Sequence, residues 1–168
     1  MRGEKMAAMT IETDGSVDPE RLARLEERPH RFANLIGARI TYASRERLVA
    51  EMPVEEDVCN PNGILHGGAA MALADHLGGT ATMLNVPPGG RTTTIESKTN
   101  FFAMVPAGDI VRAECTPLHR GRTTMVWQTR LTRQDGKLAA LVTQTQLVIA
   151  GDGGTPSAFG PGATKAAR

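Results

Sequence analysis

The stretch Asn60-Pro61-Asn62-Gly63-Ile64-Leu65-His66-Gly67-Gly68, with the uncharged run that follows it to Leu84, decides how this chain is read. Pro61, Asn62 and Gly63 are turn formers, so the segment opens as a loop. From Gly67 onward nearly every residue is small or apolar, and the run stops before Pro87-Pro88-Gly89-Gly90, a strong break. The pattern predicts one helix over 67–84, apolar on all sides and therefore a core helix. Asp75 is its only carboxylate. A buried carboxylate costs free energy unless paired, so its presence at the middle of this helix demands a reason.

Working outward, Asp18-Pro19 supplies an N-cap and a first-turn proline, and Leu22 and Leu25 define a short amphipathic helix to about Arg28. Phe32, Leu35 and Ile36 add an apolar turn that ends at Gly37. Ile40 and Tyr42, then Leu48, Ala50, Met52 and Val54, alternate as two strands or one hairpin. Beyond the helix, four strands are expected over 92–105, 109–118, 123–133 and 137–149. They are separated by Pro106-Ala107-Gly108, His119 to Arg122, and the hairpin signal Asp135-Gly136. The fold class is α+β: one long central helix wrapped by a curved antiparallel sheet. Residues 1–30 read as an N-terminal extension carrying the short helix, polar and disordered through residue 16. Residues 31–150 read as the folded domain, and 151–168 as a Gly/Ala/Pro-rich disordered tail. A single helix does not cover five or six strands, so the uncovered edges favour pairing with another subunit.

Composition narrows the function. With 168 residues the chain buries a core of ordinary size. The net charge of +1 has no Lys/Arg block behind it, and aromatics are only 4%, which argues against a nucleic-acid partner. Cys59 and Cys115 make no disulfide framework, and the N-terminus lacks an apolar signal region, so a cytoplasmic location is expected. The run from Ile64 to Leu84 has the length of a membrane span, but Asp75 at its middle opposes that reading, and no membrane partner is expected. His66, Asp75, His76 and His119 lack the i, i+4 His-His spacing of a helical zinc site, so no metal is expected. There is no G-x-S-x-G motif to place a serine nucleophile.

The spacing within the central segment is informative. Asp75 lies nine residues after His66, about half a turn out of phase and roughly 13 Å along a helix axis. The two groups do not meet within one chain. If both serve one site, that site lies between subunits, with one chain offering the helix start and the other Asp75. At the helix start, Gly67 and Gly68 present free N–H groups and the positive end of the helix dipole, suited to polarising a carbonyl oxygen. A tight loop-to-helix junction accounts for the same two glycines. Asp75 is a candidate general base or nucleophile, against the alternative of a structural carboxylate bonded to a neighbouring strand. Gly78 and Gly79 follow on the same helical face and leave room for a ligand. Asn60 and Asn62 each offer an amide to a carbonyl or water, or else serve the turn.

Asn60-x5-His66-Gly67-Gly68-x6-Asp75 resembles the signature of the PaaI-like hotdog-fold acyl-CoA thioesterases. The resemblance extends over about residues 34–149 and includes Pro117-Leu-His-Arg-Gly-Arg-Thr-Thr-Met-Val-Trp-Gln128. It implies a hotdog fold, and a dimer or dimer of dimers with active sites between subunits. It implies an acyl-CoA or aryl-CoA thioester as substrate, hydrolysed to a carboxylic acid and CoA with no cofactor. Asp75 falls at the catalytic carboxylate, Gly67 at the backbone donor to the thioester oxygen, His66 at a residue orienting the motif, and Asn60 at the amide position. Some relatives carry Ser or Thr one turn after the carboxylate, where this chain has Gly79. Thr80, Thr93 and Thr94 are candidates to replace that hydroxyl. A His of the dihydroxynaphthoyl-CoA branch falls where Phe101 stands, which favours an apolar acyl or simple aryl group over a dihydroxylated ring. Gly68, Gly79 and Phe101 are candidate substrate contacts. Arg120 and Arg122 are candidate CoA phosphate contacts, or members of a solvated hairpin turn.

Two other functions fit the same scaffold: a non-catalytic acyl-CoA binding module, and a hotdog hydratase or dehydratase. The retained Asp75 counts against the first, since pure binding gains nothing from a buried carboxylate. The pattern from Asn60 to Gly68 fits the thioesterase branch better than the second.

Overall fold

The computed structural model describes residues 11–27 and 31–151. Helix α1 (Pro19–Glu27) and the short α2 (Arg31–Leu35) precede a hairpin of β1 (Arg39–Ala43) and β2 (Leu48–Pro53). A single 3-10 turn (Glu56–Val58) leads into the loop before the long helix α3 (Gly67–Asn85). Four strands follow: β3 (Arg91–Phe101), β4 (Ile110–Arg120), β5 (Thr124–Thr132) and β6 (Leu138–Ile149). All six strands form one antiparallel sheet in the order β1-β2-β4-β5-β6-β3. Here β3, the strand nearest α3 in sequence, is an outer strand.

The core lies between α3 and the concave face of the sheet. Leu73 and Leu77 are fully buried, and Ala70, Ala74 and Ala81 let the helix approach the strands closely. They meet Leu48, Ala50 and Met52 of β2, Val111, Ala113 and Cys115 of β4, and Trp127 and Leu131 of β5. The indole of Trp127 is almost wholly buried, so its N–H needs an acceptor. It donates to Thr82 Oγ1 at 2.8 Å, and that hydroxyl donates onward to the Gly78 carbonyl at 2.9 Å.

Three expectations are corrected. First, α3 is not buried all round: Gly68, Met71, Asp75 and Met83 are exposed along one stripe. One helix on one sheet has an outer flank that no other element among the described residues fully covers. Second, the segment from residue 11 to 16 packs against the sheet. Glu12 forms a parallel bridge with Tyr42, and Ile11 and Val17 are buried. Residues 1–10, 28–30 and 152–168, the tail among them, lie outside the described residues. Third, β3 ends at Phe101 and not at Val105, because the chain turns there to hold the loop before α3. The Val105 carbonyl accepts from Leu65 N–H at 2.8 Å.

A bulge at Ile95, between Thr94 and Glu96, matters for the site. Residues seven apart on a regular strand point to opposite faces. The extra residue restores the phase, so Thr94 and Phe101 both face α3.

Candidate active site

Asp75 sits on the exposed flank of α3 that faces β3. Its Oδ1 accepts from the Thr94 hydroxyl at 2.8 Å, and from Gln144 Nε2. Gln144 and Gln146 are neighbours on the helix-facing side of β6, at 2% and 1% exposure. Gln146 Nε2 donates to Thr94 Oγ1 at 2.8 Å, and Thr92 Oγ1 donates to Gln146 Oε1 at 2.7 Å. Gly78 leaves room for this arrangement: a Cβ there would fall on the Gln144 amide. Of the three threonines considered in place of a hydroxyl at residue 79, Thr94 is the one bonded to Asp75.

The other candidate residues cluster around the start of α3. His66 is the N-cap: its Nδ1 accepts from Gly68 N–H at 2.9 Å, while Ala69 and Ala70 N–H reach the His66 carbonyl at 2.9 and 3.2 Å. The Gly67 N–H, at the positive end of the helix, has no acceptor among the described residues. With Nδ1 of the exposed imidazole serving the cap, Nε2 is the ring nitrogen that takes no part in it. Phe101 lies over Gly67, where a Cβ would stand 3.1 Å from the ring. Asn60 builds its own loop, its Oδ1 accepting from Asn62 N–H at 2.9 Å and Ile64 N–H at 3.3 Å. The Asn60 NH2 is the part left to meet a ligand.

Gly67 and Asp75 are eight residues apart in an unbroken helix, about 12 Å along its axis. The chain therefore carries a donor at one place and a carboxylate at another, both beside the outer strand β3. Next to Asp75 a groove of about 760 Å³ opens along Gly79, Thr80 and Met83, walled by Leu25 of α1 and by Val86 and Pro87. A Cβ at Gly79 would meet nothing within 4 Å. Helix α1 is held over this groove by Arg21, whose Nη1 donates to the Met83, Leu84 and Val86 carbonyls at 3.1, 3.2 and 2.9 Å. These are carbonyls at the C-terminal end of α3, where a cation is favoured.

Arg120 and Arg122 stand apart from Asp75. Arg120 pairs with Glu46 and donates to Asn85 Oδ1 at 3.1 Å, while Arg122 is exposed in the turn between β4 and β5. Among the described residues no group of three His, Cys, Asp or Glu is placed to hold a metal ion, and no helix is long and apolar enough to cross a membrane.

Sequence reasoning missed Gln144 and Gln146. A signal was present: two glutamines alternate at positions where Ala140 and Val142 continue the same apolar face. What they bond to, 69 residues away in the case of Gln144 and Asp75, is not readable locally.

Comparison with known proteins bears on the family and the fold. Residues 62–140 match the model of the thioesterase superfamily. A putative esterase of Pseudomonas aeruginosa is 36% identical over 119 residues, covering 70% of this chain and 81% of that protein. The 1,4-dihydroxy-2-naphthoyl-CoA hydrolase of Escherichia coli is 30% identical, covering 69% of this chain and 87% of the relative. The structure of the Escherichia coli PaaI protein superposes with a TM-score of 0.72 at 23% identity, covering 79% of this chain and 93% of that one. The six-stranded curved sheet around α3 is the hotdog fold, and the chain belongs to the thioesterase superfamily as a thioester hydrolase.

Proposed function

We propose that this chain hydrolyses acyl-CoA or aryl-CoA thioesters at sites completed by a second copy of itself, as a dimer or dimer of dimers. The observation that carries the reading is the separation of Asp75 from the bare Gly67 N–H, about 12 Å along one helix, with both beside the outer strand β3. Antiparallel approach of two such flanks sets the Asp75 end of one chain against the Gly67 end of the other. It also covers the exposed apolar side chains of Met71, Ile95 and Phe101.

In this arrangement the Gly67 N–H and the α3 dipole polarise the thioester carbonyl and hold the oxyanion that develops on it. Asp75 acts in one of two ways. Either its carboxylate attacks the carbonyl carbon, expelling CoA thiolate and leaving an anhydride that water opens, or it takes a proton from the water that attacks. Both routes consume one water and yield a carboxylic acid and CoA. No cofactor takes part, since CoA belongs to the substrate. His66 and the Asn60 amide stand at the Gly67 end to orient the thioester. Phe101 offers an apolar wall to the acyl or aryl group, and Gly68 and Gly79 leave it space. Arg122, and Arg120 once released from Glu46, are the phosphate contacts.

Thiol release from a panel of acyl- and aryl-CoAs tests the activity. Asp75→Asn is expected to lower kcat at least about a hundredfold; turnover unaffected by that substitution rejects the mechanism. Sharing of sites is tested by mixing Asp75→Asn subunits with folded Gly67→Pro subunits, each inactive alone. Recovery of activity on demonstrated subunit exchange is the expected result, and no recovery rejects a shared site.

A further inference from the structure

We propose that Gln144, Gln146, Thr94 and Thr92 are a positioning relay for Asp75, which commits one carboxylate oxygen to the protein and leaves the other to the thioester. This rests on the reading of Asp75 as the reacting group. The starting point is an oddity of burial. Two glutamines at 2% and 1% exposure lie on the inner face of β6, where aliphatic side chains would pack without unmet hydrogen bonds.

The direction of each bond follows from what each group can donate. The Thr92 hydroxyl meets Gln146 Oε1, which leaves Gln146 Nε2 to point at Thr94. Thr94 Oγ1 then accepts from Gln146, so its own proton turns outward to Asp75 Oδ1. A carboxylate only accepts, so the Gln144 amide faces it through Nε2. This leaves Gln144 Oε1 buried with no hydrogen-bond partner, in the space that Gly78 vacates. An unmet buried carbonyl is destabilising. It is tolerated here because the other end of the same amide grips Asp75.

Both donors converge on Oδ1, and among the described residues none reaches Oδ2. Asp75 is on an exposed flank, and these two bonds set which oxygen points away from the sheet. The relay thereby fills the place of a hydroxyl one turn along the helix, which Gly79 cannot provide.

The experiment measures kcat, KM and thermal stability for Gln144→Met, Thr94→Val and Thr94→Ser beside wild type and Asp75→Asn. Loss of positioning is expected to lower kcat about ten- to a hundredfold in Gln144→Met and Thr94→Val, with KM within about twofold. Thr94→Ser, which keeps the hydroxyl, is expected to stay near wild type. Wild-type kcat in both Gln144→Met and Thr94→Val, while Asp75→Asn is inactive, overturns the relay. Equal losses in Thr94→Val and Thr94→Ser overturn it too. An active Asp75→Asn enzyme overturns instead the reading on which it rests.

Discussion

At the scale of single residues, the chain divides into positions legible from local pattern and positions set by remote neighbours. Asn60, His66, Gly67 and Asp75 stand out because they interrupt or open an otherwise uniform run, and the structure places the first three together at the start of α3. The same structure shows that His66 and Asn60 also have local work: one caps the helix and the other closes the loop. Gly78 illustrates the opposite case. A glycine inside a helix costs about 1 kcal/mol relative to alanine, and by propensity alone Gly78→Ala stabilises α3. A Cβ at that point falls on the Gln144 amide, and overpacking of this kind costs about 1–3 kcal/mol. Gly78→Ala is therefore expected to lower both stability in denaturant melts and kcat. The Gly78→Ala/Gln144→Ala double variant is expected to regain stability but not kcat. Additive stability losses in the double variant would show that the two residues do not compete for the same space.

At the scale of elements, periodicity located every strand and the long helix to within a few residues, because half-buried strands and helices carry their faces in their own sequence. Two features escaped it. The bulge at Ile95 has no local mark in a run of Thr and charged residues, yet it decides that Thr94 and Phe101 share a face. The end of β3 at Phe101 is set by Leu65, which draws the Val105 backbone away from β6. The packing of α3 on β5 gives a stability test at this scale. Thr82 Oγ1 stands between the Trp127 N–H and the Gly78 carbonyl in a fully buried site. Thr82→Val removes the acceptor and leaves a buried indole donor unmet, so a loss of about 1–3 kcal/mol is expected from chemical denaturation. Adding Trp127→Phe to that variant is expected to cost less than Trp127→Phe does alone, since the donor and its partner are then both gone.

At the scale of the whole molecule, the sheet encloses Cys115 as part of the core beneath α3. Burial pushes its thiol from the ordinary 9.0 up to about 12, offset in part by a hydrogen bond with Thr129. The unfolded thiol releases its proton above about pH 9, while the folded one holds it. The unfolded state then binds fewer protons, so the stabilising contribution is complete below pH 9 and is lost as pH rises toward 12. The stability difference between wild type and Cys115→Ala is expected to shrink over that window in urea melts at stepped pH; a difference constant with pH contradicts it. The sequence by itself determined the α+β class, the long helix, the meander after it, and the family to which the motif belongs, since these depend on periodicity and short-range spacing. It also determined that Gly67 and Asp75 cannot meet in one chain, because helix rise and twist are fixed by the backbone. Only the tertiary structure decided that Asp75 stands on an open flank, and not inside the core, because what covers a helix depends on how many strands wrap it. Only the tertiary structure, again, brought Thr94, Gln144 and Gln146 to that carboxylate, since strand order and register join residues that no local pattern connects.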